Sequence, residues 1–198
     1  MNKLCLVGAL AAVACASQAS LTIATFSDPS LSASNPLFAW DSAANTLEGS
    51  WSGTGMTVQT PGFIGGGSVS DAQMVFDQVS LTPIINGTFY KMGSGRVRFF
   101  TTDINNPFLT ITFNSGSFLN PFLSGASSLN ADGVSFTGPN VPTGLSDEQF
   151  SFSFANPETS GSVTHFTSSF TSSAVPEPLS IIALGAGLAA LGRRRKKA

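Results

Sequence analysis

The chain has 198 residues, enough for one domain once its ends are set aside, with 10% charged residues and a net charge of −2. Its nine Lys and Arg are unevenly spread: Lys3 opens the chain, five fall in the last six residues, and between Ser20 and Ala174 only Lys91, Arg96 and Arg98 face ten Asp and Glu. A body of net −7 repels phosphate backbones and excludes nucleic acid as a partner.

The first 19 residues form a positively charged start at Lys3, an apolar run from Leu4 to Val13, and small-residue steps at Ala14-Cys15-Ala16 and Ser17-Gln18-Ala19. This is the layout of a secretory signal peptide, with cleavage expected after Ala19. Ala12-Val13-Ala14-Cys15 offers a second option, a lipoprotein-type processing step at Cys15, but lacks the Leu usual three residues before that Cys. Cys5 and Cys15 are the two cysteines of the chain, so cleavage after Ala19 leaves a mature protein without thiols, disulfides or a Cys-based metal site.

From Ser20 to Ala174 the composition favours strands and turns: 17 Phe against two Trp and one Tyr, and 20 Gly in the whole chain. Period-two alternation is clearest in Leu109-Thr110-Ile111-Thr112-Phe113 and recurs in Phe150 to Phe154, Val134 to Thr137 and, more loosely, Val163 to Phe170. Turn chemistry separates such runs at Asn86-Gly87, Gly93-Ser94-Gly95, Asn114-Ser115-Gly116 and Asp132-Gly133. The Gly62 to Gly67 and Gly138 to Gly144 stretches are expected loops, and Leu145 to Phe150 allows at most one helical turn. The fold class expected is all-β, an antiparallel, jelly-roll-like β-sandwich over residues 20–174.

Chemistry in that body is sparse. His165, the single histidine, lies in a strand-like run with no nucleophile spaced around it, which suits a surface or packed histidine better than a base. Asp147 and Glu148 are adjacent and Asp71 and Asp77 sit in no motif, so a glycosidase pair is not indicated; no Asp-x-Asp-x-Asp spacing marks a calcium loop. No cofactor and no metal are expected. Trp40, Trp51 and Tyr90 are the candidates for an aromatic platform against sugar rings. Asn86-Gly87-Thr88 has the form of an N-glycosylation sequon, which a tight turn explains equally well.

The tail has three parts in order: Val175-Pro176-Glu177-Pro178, an uncharged run from Leu179 to Leu191, and Arg193-Arg194-Arg195-Lys196-Lys197. As a helix, Leu179 to Gly192 would reach about 21 Å, short against a hydrocarbon core of roughly 30 Å. The five cations would stop transfer and stay on the cytoplasmic side, with the body outside. This order looks like the C-terminal sorting signal of bacterial PEP-CTERM proteins, and it covers residues 175–198 alone.

The resemblance implies an exported protein of a Gram-negative-type, exopolysaccharide-making bacterium. It would be held in the inner membrane as a precursor and processed by an exosortase near Pro176, Glu177 and Pro178, after removal of the leader by signal peptidase. The expected role is a structural or adhesive component of the cell surface, extracellular matrix or biofilm, with no catalytic activity. A carbohydrate-binding module that retains exopolysaccharide is the second reading, and a hydrolase the third.

Overall fold

The computed structural model describes residues 20–27, 38–85, 88–119 and 128–176, with the backbone alone at 27, 51–54 and 128. The expected signal segment with Cys5 and Cys15, the Asn86-Gly87 turn, Glu177, Pro178, the Leu179–Leu191 span and the Arg193–Lys197 cluster lie outside the described residues. Among those described, no helix is long and apolar enough to cross a membrane.

The described residues form twelve strands: β1 Leu21–Ser27, β2 Phe38–Asp41, β3 Thr46–Gln59, β4 Ser68–Ile85, β5 Phe89–Met92, β6 Gly95–Phe100, β7 Leu109–Phe113, β8 Ser115–Leu119, β9 Ser128–Asp132, β10 Ser135–Thr137, β11 Leu145–Ser160 and β12 Val163–Pro176. All pair antiparallel in one sheet that curls back on itself, in agreement with the expected fold class at the level of a sandwich-like all-β body.

Four long strands, β3, β4, β11 and β12, carry the architecture, because each is shared by two levels of the sheet. β12 pairs with β11 along one edge, and along the other first with β2 at Val163–Phe166 and then with β1 at Ser169–Ala174. β4 pairs with β3 on one edge and with β6 then β5 on the other. One level closes completely through β12, β2, β3, β4, β5, β8, β9 and β11. Closure removes the exposed strand edges that would invite non-specific pairing.

The second level runs β12, β1, β3, β4, β6, β7, β10 and stops one strand short of β11. There a side chain does the joining: the Phe136 N–H of β10 donates to Glu148 Oε1 of β11 at 3.1 Å. Glu148 reaches across because β11 bulges between Ser146 and Gln149, where Asp147 takes a left-handed φ of 48°. This bulge lies in Leu145 to Phe150, where the sequence allowed at most one helical turn; the stretch is extended and paired to β12. The local Ser-Asp-Glu signal for a turn is real, but it is spent on a kink within a strand.

The core lies inside the curl and is built from phenylalanine. Phe38, Phe76, Phe99, Phe118, Phe152, Phe166 and Phe170 are almost completely buried. They contact one another mainly edge-on or tilted, as in Phe38–Phe152 at 4.9 Å and 68°, Phe99–Phe170 at 5.1 Å and Phe152–Phe170 at 5.1 Å. Each buried Phe contributes roughly 1.5–3 kcal/mol through its apolar area. With no cysteine among the described residues, burial and the backbone ladder are what hold this body together.

Candidate functional site

The three aromatic candidates do not form a platform. Trp40 leaves β2 toward the interior and is 7% exposed, and Tyr90 of β5 is 5% exposed. They meet edge to face at 5.6 Å, with Phe118 at 5.9 Å from Trp40, so their ring faces are covered by protein. Burial raises the Tyr90 phenol above its ordinary pKa. The Trp51 side chain lies outside the described residues. The expectation of a solvent-facing sugar platform is therefore corrected for Trp40 and Tyr90. Period-two strands send these large side chains to the dry face, and a closed sheet has no dry face that solvent reaches.

His165 sits on β12 directly opposite Glu158 of β11 and Ala39 of β2. Its Nδ1 is buried without a hydrogen-bond partner. Its strand neighbours Thr164 and Thr167 are occupied elsewhere: Thr164 shares a 3.0 Å hydroxyl contact with Thr159, and the Thr167 hydroxyl donates to Ala155 O at 3.2 Å while accepting from Asn156 Nδ2 at 3.0 Å.

Four of the carboxylates, Asp77, Asp132, Asp147 and Glu148, fall into two arrangements that the sequence did not reveal. On the outer face of β4, Asp77 receives Arg96 Nε at 2.9 Å and Arg98 Nη2 at 2.6 Å, so two of the three basic residues of the body share one acid. The seam between β9–β10 and β11 opens a cleft of about 550 Å³ lined by Asn130, Asp132, Asp147, Glu148 and Gln149 among others. Burial raises the Glu148 pKa, and the Phe136 N–H opposes that shift. A raised carboxyl beside other acids is equipment that glycoside hydrolysis uses. Here one Glu148 oxygen is held by a bond that fastens β10 to β11, which makes it a clasp. Among the described residues no group of three or more His, Cys, Asp or Glu could hold a metal ion.

A second concavity, about 530 Å³, lies over β3, β1, β12 and β11 and is lined by Ser and Thr side chains, Gln59, Phe26 and Phe170. It carries none of the residues singled out from sequence. Alternation marked Ser151 and Ser153 among them as the wet face of a strand; nothing in it said that they would be gathered with the others into one trough.

Val175 and Pro176 are not a free linker: they complete β12, with Val175 opposite Ser146 and Pro176 opposite Leu145. The Ser146 hydroxyl donates to Val175 O at 3.3 Å. The body thus runs without a spacer into Pro176, and β1 begins alongside, with Leu21 opposite Ala174. The two ends of the described body leave from the same edge.

No family model, no curated protein and no solved structure matches this chain.

Proposed function

We propose that the protein is an exported, surface-sorted structural or adhesive component of the cell envelope or exopolysaccharide matrix. On this reading a signal helix is removed after Ala19, a C-terminal transmembrane helix holds the precursor in the inner membrane, and an exosortase acts at the Val175-Pro176-Glu177-Pro178 step. The body between them is a jelly-roll-like sandwich without a catalytic role. The observation that carries the proposal is the tripartite tail at residues 175–198. The placement of Val175 and Pro176 is consistent with it: they are the last two residues of β12, so the described body runs directly into the motif. A core that depends on Phe packing without thiols suits an exported product whose redox surroundings vary.

The test is replacement of Pro176, Glu177 and Pro178 by alanine, followed by cell fractionation. The variant should still be exported and should accumulate in the inner membrane at its precursor size. Delivery of the variant to the surface at mature size would refute the sorting role.

A carbohydrate-binding module is the second reading. Its aromatic basis falls with the burial of Trp40 and Tyr90. What supports it in their place is the uncharged trough.

A further inference from the structure

We propose that the end of the body from which β12 leaves is a lipid-contacting face, with Ile64 seated at the headgroup level of the bilayer that holds the tail. The inference rests on the membrane-held precursor of the first reading and adds how the body sits on that membrane.

Chain continuity names the occupant. β12 ends at Pro176, and only Glu177 and Pro178 separate it from the uncharged run that starts at Leu179. The three Cα steps from Pro176 to Leu179 span at most about 11 Å. With that run in the bilayer, the Pro176 end of the body is held against the lipid surface. β1 starts at the same end, with Leu21, 36% exposed, opposite Ala174.

The loop between β3 and β4 lies at this end too. Its Gly62 N–H donates to Ile23 O of β1 at 3.2 Å, and its Ile64 N–H donates at 2.8 Å to Asn140 O, in the loop that leads into Leu145, the cross-strand partner of Pro176. Phe63 is buried and meets Phe108 edge-on at 6.4 Å. Ile64, the next residue, is 68% exposed, the most of any large apolar side chain described. Gly65, Gly66 and Gly67 follow with φ of 93°, 58° and 121°, backbone that suits glycine, and supply no side chain to cover it. The loop is closed by Thr60 N–H to Gly67 O at 2.8 Å and Gly66 N–H to Phe63 O at 2.9 Å. One exposed Ile is ordinary on a protein surface. This one is held outward by a bonded loop at the end where the tether begins.

Charge decides the kind of attraction. Residues 20–26, 60–71, 101–108, 138–147 and 173–176, which make up this end, contain Asp71, Asp103 and Asp147 and no Lys or Arg. Anionic headgroups are repelled by such a face, so its contact with lipid comes from burying Ile64 and Leu21 and needs no anionic lipid.

The test reconstitutes the full-length chain, with Cys5→Ser and Cys15→Ser, in phosphatidylcholine vesicles. A nitrobenzoxadiazole label is attached through Ile64→Cys or through Ile84→Cys, a 55% exposed position at the far end of β4. Flotation after an alkaline wash reads the anchor, and the label reads the face. The label at 64 should shift to the blue and lose about half its emission to lipids spin-labelled high on the acyl chain, the depth of a side chain at the headgroup–acyl boundary. The label at 84 should keep its aqueous emission, and added phosphatidylglycerol should not increase quenching at 64. Chains that float with an aqueous, unquenched label at 64, equal quenching at 64 and 84, or quenching at 64 that needs phosphatidylglycerol would overturn the proposal. Chains that fail to float would overturn the membrane-held precursor, and the lipid-contacting face with it.

Discussion

Ser172 and Ala24 are joined by two hydrogen bonds across β12 and β1: the Ala24 N–H donates to Ser172 Oγ at 3.0 Å, and the Ser172 hydroxyl donates to Ala24 O at 2.9 Å. Both residues are buried. The pairing of β1 shifts between Thr22 and Ala24, which inserts Ile23 as an extra residue and sends both Ile23 and Ala24 into the core. The hydroxyl satisfies the backbone groups that the bulge would otherwise strand. Ser172→Ala should therefore destabilise the protein by about 1–3 kcal/mol, the cost of burying unpaired polar groups. Urea unfolding would measure it; a change within error would mean that the bulge relaxes without the hydroxyl.

Trp40 separates a packing role from a recognition role. Its Nε1 is buried with no partner, so Trp40→Phe keeps an aromatic contact with Tyr90 and Phe118 while removing an unsatisfied donor, and it should cost under about 1.5 kcal/mol. Trp40→Ala should cost about 3–5 kcal/mol through the cavity it leaves. Thermal unfolding of the pair would show the ranking; equal stability of Trp40→Ala and wild type would place the ring outside the core.

Glu148 gives a pH dependence of defined sign. Burial raises its folded pKa above the ordinary value of 4.5, so its contribution is fully present below the unfolded value and is lost as pH rises through the folded one. Glu148→Gln retains an oxygen for the Phe136 N–H without a charge in the seam. The variant should melt at a higher temperature than wild type at pH 7, and the gap should close as pH falls below 4.5. A variant that melts lower at pH 7 would show that the charge strengthens the clasp more than burial weakens it.

Gly95 opens β6 against the ring of Phe113. A methyl group there would meet that ring and come within 2.7 Å of Val79 Cγ1. Gly95→Ala should cost about 1–3 kcal/mol through overpacking, read by urea unfolding, even though alanine suits a strand better than glycine does. A neutral or stabilising result would show that Phe113 moves aside freely.

The strands with clean alternation were legible as sequence. Leu109 to Phe113 is β7 with Leu109, Ile111 and Phe113 buried, and the Phe150 and Val163 runs lie in β11 and β12. The long strands β3 and β4 were not, because Gly49, Ser50 and Gly55 in one and the Ser-Asp-Ala start of the other lack a continuous apolar face. Their pairing is interrupted by register shifts at Leu47/Gly49, Trp51/Met56 and Met56/Val58, which break the period that alternation relies on. The candidate trough was hidden for a different reason: six of its walls are ordinary Ser and Thr, and only the cross-strand partners tell them from the others.

By itself the sequence determined the all-β class, the apolar rows and the tail whose order suggests an address, since each depends on neighbours along the chain. The tertiary structure decided that Trp40 and Tyr90 face inward, that Glu148 closes the gap between β10 and β11, that Val175 and Pro176 belong to the last strand, and that an uncharged trough forms over four strands. The physical reason is register: side-chain direction follows from period two, but which strands become neighbours is set by how the Phe core closes and where bulges let the ladder shift.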